Sequence, residues 1–379
     1  MDLEVRIMIK KYLTPLIGFI FGGIIGLIAC DYAFRLTNTD SLFLFVGYLV
    51  LLFCLMLMIY CVEIVIHESG HLFFGLISGY DFLSFRIFKW ILIKENQHYQ
   101  IKNYSLLSTA GQCLMAPPDY EEGKFSCVLY NLGGILFDGM SFIFFLIFYF
   151  YTQGLVQFIC LTFVFVAFVS VLTNGIPISN QTMVNDGYNV LYLNKDVYAK
   201  KSFWLQMDLY EKLLEGKSLR DLDPAYFELP NIELLHNCLS LTLVVLRCNY
   251  LMEKHDFDEA YKLIKKALDL NLIGIHHYLL QLDLIYIEIL KGNLKQAKTY
   301  KTKELDNFIK QMKKNPSVLR FQYVYTLKCE QNLHKVKHYL EMFNHLKQTY
   351  PYQVELKIEE EYMNLIKEME WNNENISIS

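Results

Sequence analysis

Every long apolar run in this 379-residue chain falls before about residue 175, and that asymmetry limits the fold more than any other feature. Four stretches approach the ~20 residues needed to cross a hydrocarbon layer about 30 Å thick. They are Tyr12–Cys30, Leu42–Tyr80, Val128–Phe150 and Leu155–Thr173. A helix as long as the second would reach roughly 58 Å, so it is expected to leave the bilayer or bend. With 54% hydrophobic residues the chain is too apolar for an ordinary soluble protein, yet its later half carries most of the Lys and Glu. The expected fold is membrane α-helical, with about four transmembrane helices and a small β-hairpin insertion, followed by a soluble all-α domain. The boundaries this implies are a membrane domain over 1–195, a linker with short helices over 196–230 and a cytoplasmic helical domain over 231–379.

Orientation follows from Lys and Arg in the short loops. Arg6, Lys10 and Lys11 precede the first span, and Arg86, Lys89, Lys94, Lys102 and Lys124 lie between the second and third. The loop after the first span has Arg35 beside Asp31 and Asp40, and the turn after the third has no basic residue. This bias predicts a multi-pass protein of the cell membrane with both termini cytoplasmic. The net charge of −4 comes without any long block of one sign, which argues against a nucleic-acid partner. Nine scattered cysteines contain no CxxC pair, so neither a disulfide framework nor a cysteine metal site is expected. Leu27-Ile28-Ala29-Cys30 has the form of a bacterial lipobox, and the Lys-rich, Arg-poor and Ala-poor usage fits a low-GC bacterium.

Residues 81–104 alternate apolar and polar and are rich in β-branched and aromatic side chains, which predicts two strands turning near Glu95–Gln97. From about residue 200 the pattern becomes amphipathic helices with short polar turns. Phe257, Leu294 and Leu333 align at offsets of 37 and 39, as do Ala260, Ala297 and Val336. This pattern resembles a degenerate tetratricopeptide helix–turn–helix repeat over roughly 231–365. The resemblance implies a concave surface that engages a protein or peptide partner.

The strongest chemical signal is His67-Glu68-Ser69-Gly70-His71 inside the second span. Positions i and i+4 share a helical face, so both imidazoles can hold one zinc ion while Glu68 reaches an activated water. Ionisable residues at membrane depth are costly and therefore point to function. Glu63 lies one turn before His67 and is placed to accept a hydrogen bond from an imidazole. The other histidines, among them His98, His255, His276, His277 and His338, lack ligand spacing and read as surface or repeat positions.

HESGHLFFGLISGY resembles the zinc helix of the site-2 protease family of intramembrane metalloproteases, in which small residues such as Gly75 and Gly79 allow close helix packing. Asn174-Gly175-Ile176-Pro177 and Asp186-Gly187 resemble that family's asparagine–proline segment and its Asp-Gly. The resemblance implies Asp186 as third zinc ligand, although the 12 residues from Asn174 to Asp186 exceed the usual spacing by about four. It also implies Asn174 as a hydrogen-bond donor to substrate. Asp138, in the glycine-rich YNLGGILFDGM, is the competing carboxylate, either as ligand or as a substrate contact. The expected activity is hydrolysis of a peptide bond in a membrane-spanning or membrane-associated precursor peptide near the cytoplasmic face, with zinc as cofactor and Glu68 as general base. The alternative is a catalytically inactive membrane-anchored adaptor that binds partners through its helical repeats.

Overall fold

The computed structural model describes residues 23–24, 26–35, 41–95, 98–104, 109–121, 125–179 and 184–376. Most of the expected first span lies outside these residues, as do Arg6, Lys10 and Lys11 ahead of it and Lys124 further on. The other three apolar stretches are helices: α1 at Leu42–Ile77, α2 at Val128–Tyr151 and α3 at Gly154–Gly175. All three are long and apolar enough to cross a membrane. Helix α1 stays helical over all 36 residues, a length of roughly 54 Å.

Contacts divide the chain into two compact units, one formed by Met1–Ile66 with Phe137–Leu172 and the other by His67–Leu136 with Thr173–Ser379. In the first unit, polar side chains find partners across helices. Ser141 Oγ donates to Glu63 at 2.9 Å, Ser170 Oγ donates to Asp138 at 2.6 Å, and Tyr32 Oη donates to Gln157 at 3.0 Å.

The second unit contains a four-stranded antiparallel sheet in place of the expected two-stranded hairpin. Its strands are β1 at Asp81–Ile87, β2 at Trp90–Glu95, β3 at His98–Asn103 and β4 at Gly111–Ala116, in the order β3-β2-β1-β4. The pairing of β2 with β3 closes at Glu95 and His98, where a turn is expected, and an additional turn falls at Phe88–Lys89, where Phe88 adopts a left-handed φ of 50°. Bulky residues seldom do this, so the turn carries none of the usual Gly or Asn signal. Arg86 compensates by clamping the region: its fully buried guanidinium donates to the carbonyls of Phe88 at 2.7 Å and Gly111 at 3.1 Å, and to Thr109. Ile91 and Ile93 point to one face of β2, and Ile93 joins the hydrophobic core of the helices that follow.

Those helices are α4 (Asp186–Leu193) and α5 (Val197–Leu214), then three successive pairs. The first pair is α6 (Thr242–Glu253) with α7 (Phe257–Leu268). The second is α8 (Gly274–Leu290) with α9 (Leu294–Tyr300), and a further short helix, α10 (Lys303–Gln311), follows it. The third is α11 (Pro316–Tyr325) with α12 (Leu333–Leu346). The repeat seen in the sequence marks one local device. Phe257, Leu294 and Leu333 each open the second helix of a pair, behind Asp256, Asn293 or Asn332 at the N-cap. Ahead of each cap stands a residue with positive φ: His255, Gly292 or Gln331. Three residues further on, Ala260, Ala297 and Val336 are buried between helices.

The last helix, α13 (Gln353–Ile376), runs across all three pairs. Its Glu361 accepts from Arg220 at 2.9 Å and lies 3.0 Å from His255, while its Tyr362 carbonyl accepts from Tyr286 at 2.9 Å. Its Glu359 pairs with Arg320 at 2.7 Å. Helix α13 thus makes polar contacts with residues at each of the three pairs.

Arg320 is the charged centre of this packing. It is 1% exposed, pairs with both Asp283 and Glu359, and stacks over Tyr286. Burial pushes the Asp283 carboxyl up to about 6 despite the nearby guanidinium. Replacing Arg320 with Ala leaves two carboxyls buried without their cation, a change that costs about 3–5 kcal/mol. Thermal unfolding of the detergent-solubilised R320A chain, followed by circular dichroism, is expected to show a midpoint lower by roughly 10 °C. An unchanged midpoint would remove Arg320 from this role.

Candidate metal centre

His67 and His71 project from one face of α1, four residues apart, as helical periodicity requires. Their Nε2 atoms stand 3.2 Å apart. Asp186, the first residue of α4, brings its Oδ2 to 3.3 Å from His67 Nε2 and 3.4 Å from His71 Nε2. Among the described residues these three form the one His/Cys/Asp/Glu group spaced to hold a metal ion. Ligands about 2.0–2.1 Å from a tetrahedral ion lie ~3.3 Å from each other, so all three observed edges fit such an ion.

Neighbouring residues fix the orientation of the donors. His71 Nδ1 lies 2.7 Å from the Tyr130 carbonyl on α2. A carbonyl can only accept, so Nδ1 carries the proton and the Nε2 lone pair faces His67 and Asp186. Burial pushes the Asp186 carboxyl up, but the adjoining imidazoles outweigh it and hold the group below the usual carboxylate range. Glu68, adjacent to His67 on α1, is 8% exposed and lies within electrostatic reach of His71, His67, Asp186 and Arg86.

Close backbone approach makes this convergence possible. A Cβ at Gly134 of α2 would sit 2.4 Å from the His67 ring, and one at Gly133 would sit 2.4 Å from the Gly70 carbonyl. Only a glycine pair lets α2 come this near to the motif. On the other side, a Cβ at Gly187 would meet the Gly175 carbonyl at 2.2 Å, so α4 can start directly against the end of α3. Asn185 closes that junction. Its Nδ2 donates to the carbonyls of Thr173 at 2.7 Å and Ile176 at 2.6 Å, while its Oδ1 accepts from the backbone of Ile178 at 2.9 Å and Tyr188 at 3.0 Å. It is also the N-cap of α4 and thereby sets the residue that follows it, Asp186. Asn189 of α4 donates to Asn131 of α2 at 2.9 Å, a second tie in the same place.

The structure thus brings together His67, His71 and Asp186, with Glu68 beside them. Asp138 is not in this group; it is fully buried in the other unit with Ser170 as its partner. Glu63 likewise pairs with Ser141 in that unit. Asn174 is the penultimate residue of α3, partly buried, with its carbonyl facing Gly187. Gly75 does allow close packing, against Met115 of β4 and Tyr130. Gly79 does not: at φ +83° it ends α1, where Tyr80 N–H bonds to the Gly75 carbonyl at 3.0 Å and Gly79 N–H to that of Leu76 at 3.2 Å. Sequence reading missed Asn185, Tyr130 and the Gly133–Gly134 pair, although an Asn just before Asp-Gly is a recognisable helix-start signal.

No family model matches this sequence, and no curated protein or solved structure matches it either.

Crowding at Gly134 gives a direct check. Gly134→Ala drives a methyl group into the His67 ring and is expected to lower zinc content at least tenfold after equilibration with the metal. Gly139→Ala, on the same helix with nothing within 4 Å, is expected to retain it. Equal zinc content in the two variants would contradict this packing of the ligand.

Proposed function

We propose that this chain is a zinc-dependent intramembrane protease of the site-2 type, hydrolysing a peptide bond in a membrane-spanning or membrane-associated precursor peptide. The observation that carries the proposal is the trio of donor edges at 3.2, 3.3 and 3.4 Å, beside a glutamate of an HExxH motif. The fit is chemical as well as geometric, since two imidazoles and one carboxylate are a donor set that catalytic zinc sites use. When bound there, zinc supplies a Lewis acid that makes a water nucleophilic near neutral pH and polarises the scissile carbonyl.

The remaining work falls to the chain's own residues. Glu68 is placed to take the proton from the attacking water and deliver it to the leaving amine nitrogen, acting first as base and then as acid. Asp186 and the Tyr130 carbonyl keep both imidazoles turned toward one point, so no reorientation is needed as charge develops. Asn174 is assigned as a donor to substrate.

A peptide inside a membrane helix has its carbonyls bonded within that helix, so cleavage requires local unwinding. The sheet supplies a place for the freed backbone. Its edge strand β4 is tied to the centre through Tyr130, whose hydroxyl donates to the Cys113 carbonyl at 2.7 Å while its own carbonyl holds His71. Pairing of the unwound segment along this sheet would satisfy its exposed N–H and C=O groups. The helical pairs are assigned to engaging the cytoplasmic part of the substrate or a partner protein.

Glu68→Gln separates the enzyme reading from the adaptor reading. The variant is expected to keep its zinc while proteolysis falls by about 10²–10⁴-fold. The readout is a comparison of membrane proteins and released peptides in cells carrying wild type or E68Q, with zinc measured on the purified proteins. Identical peptide and protein profiles would reject the protease assignment.

A further inference from the structure

The second unit holds a cavity of about 370 Å³ among α5, α6, α8, the start of α11 and α13, closed on one side by Tyr104 next to strand β3. Its lining is unusual in charge. Glu253, Asp283, Glu355 and Glu359 all contribute to it, and no Lys or Arg does. Asp283 and Glu359 share the guanidinium of Arg320, which lies behind the wall. Among the described residues, Glu253 and Glu355 have no basic side chain within ion-pair distance. Glu253 accepts a backbone N–H of Arg220 at 3.2 Å, and Glu355 accepts the hydroxyl of Tyr350.

Two further polar residues line the same space. The Nδ1 of His276 is buried without a hydrogen-bond partner, and burial lowers that imidazole to about 4, so it is neutral and able to accept. The carboxamide of Asn249 also lines the cavity and makes no hydrogen bond among the described residues. Buried polar groups are normally satisfied, so the unpartnered His276 Nδ1 leaves an acceptor open to a ligand. The apolar remainder of the wall includes Leu246 and Leu279, with Tyr210 and Tyr352 among its aromatic rings.

We infer that this cavity binds a protonated amine on an apolar stem, the chemistry of a lysine side chain or of a free alkylamine. The ammonium would sit against Glu355 with Asn249 and His276 as acceptors, and the stem against leucine and tyrosine side chains. A cation among aromatic faces and buried carboxylates gains from both.

The titration of Glu355 supports the sign of the ligand's charge. Burial pushes its carboxyl up to about 7, and the groups around it are Tyr350, Tyr104, Tyr210, Tyr352, Glu253 and Glu359, none of them cationic. A carboxyl whose folded pKa lies above its unfolded value destabilises the fold progressively as pH rises from about 4.5 to 7. A bound ammonium offsets that penalty.

The test uses the full-length chain in detergent and does not depend on protease activity. Isothermal titration calorimetry at pH 8 compares n-pentylamine with 1-pentanol, and the tripeptide Ala-Lys-Ala with its norleucine counterpart. One saturable site is expected for a cationic probe, at least tenfold tighter than for its neutral partner, and weakened at least tenfold by both Glu355→Gln and Asn249→Leu. Binding of the tripeptide alone identifies a peptide lysine, and binding of the alkylamine identifies a free amine; either supports the inference. Absence of binding, equal affinity for the neutral probes, or affinity unchanged in both variants would overturn it.

Discussion

Two imidazole nitrogens and a carboxylate oxygen all face a common point, at mutual distances of 3.2 to 3.4 Å, with the protonated nitrogen of one ring already engaged by the Tyr130 carbonyl. Their spacing matches the edges of a tetrahedral metal site, and it brings three potential donor atoms together on two helices. Much of the surrounding structure serves that contact. The glycine pair of α2 lets its backbone reach α1, Gly187 lets α4 begin against α3, and Asn185 binds the loop between them with four hydrogen bonds. None of these would be required to pack apolar helices in lipid, where larger side chains would fill the same space.

The second unit joins the centre to the helical pairs through the sheet. Tyr130 reaches β4 from the metal side, Arg86 ties β4 to β1, and Ile93 of β2 lies in the same core as the helices after residue 200. Tyr104, next to β3, packs against Tyr350 and Tyr352, both just ahead of α13, with ring centroids 5.4 and 6.1 Å away. The aromatic contact makes the sheet part of the cavity wall, so the space in the helical pairs and the strands near the centre are built from one continuous packing.

The parts of this arrangement legible in sequence are those set by local periodicity. Histidines at i and i+4, three apolar helices and the Phe257, Leu294 and Leu333 repeat were all readable because each depends on residues within a turn or a pair of helices. Asp186 was not fixed by such spacing and was reached through resemblance; its placement depends on the Asn185 clasp and on an approach permitted by Gly187. The sheet was under-read because the Phe88–Lys89 turn lacks turn residues and because β4, Gly-Gln-Cys-Leu-Met-Ala, has little β-branched character. The path of α13 across all three pairs rests on contacts such as Arg220–Glu361, 141 positions apart, which no local pattern encodes.

The most direct measurement of the central claim is X-ray absorption at the zinc edge on the purified, zinc-loaded chain, for wild type and Asp186→Asn. Two imidazole nitrogens and oxygen donors at about 2.0–2.1 Å are expected in wild type, with loss or weakening of metal binding in the variant. A sulfur-containing shell, fewer than two imidazoles, or a spectrum and zinc content identical in Asp186→Asn would contradict it.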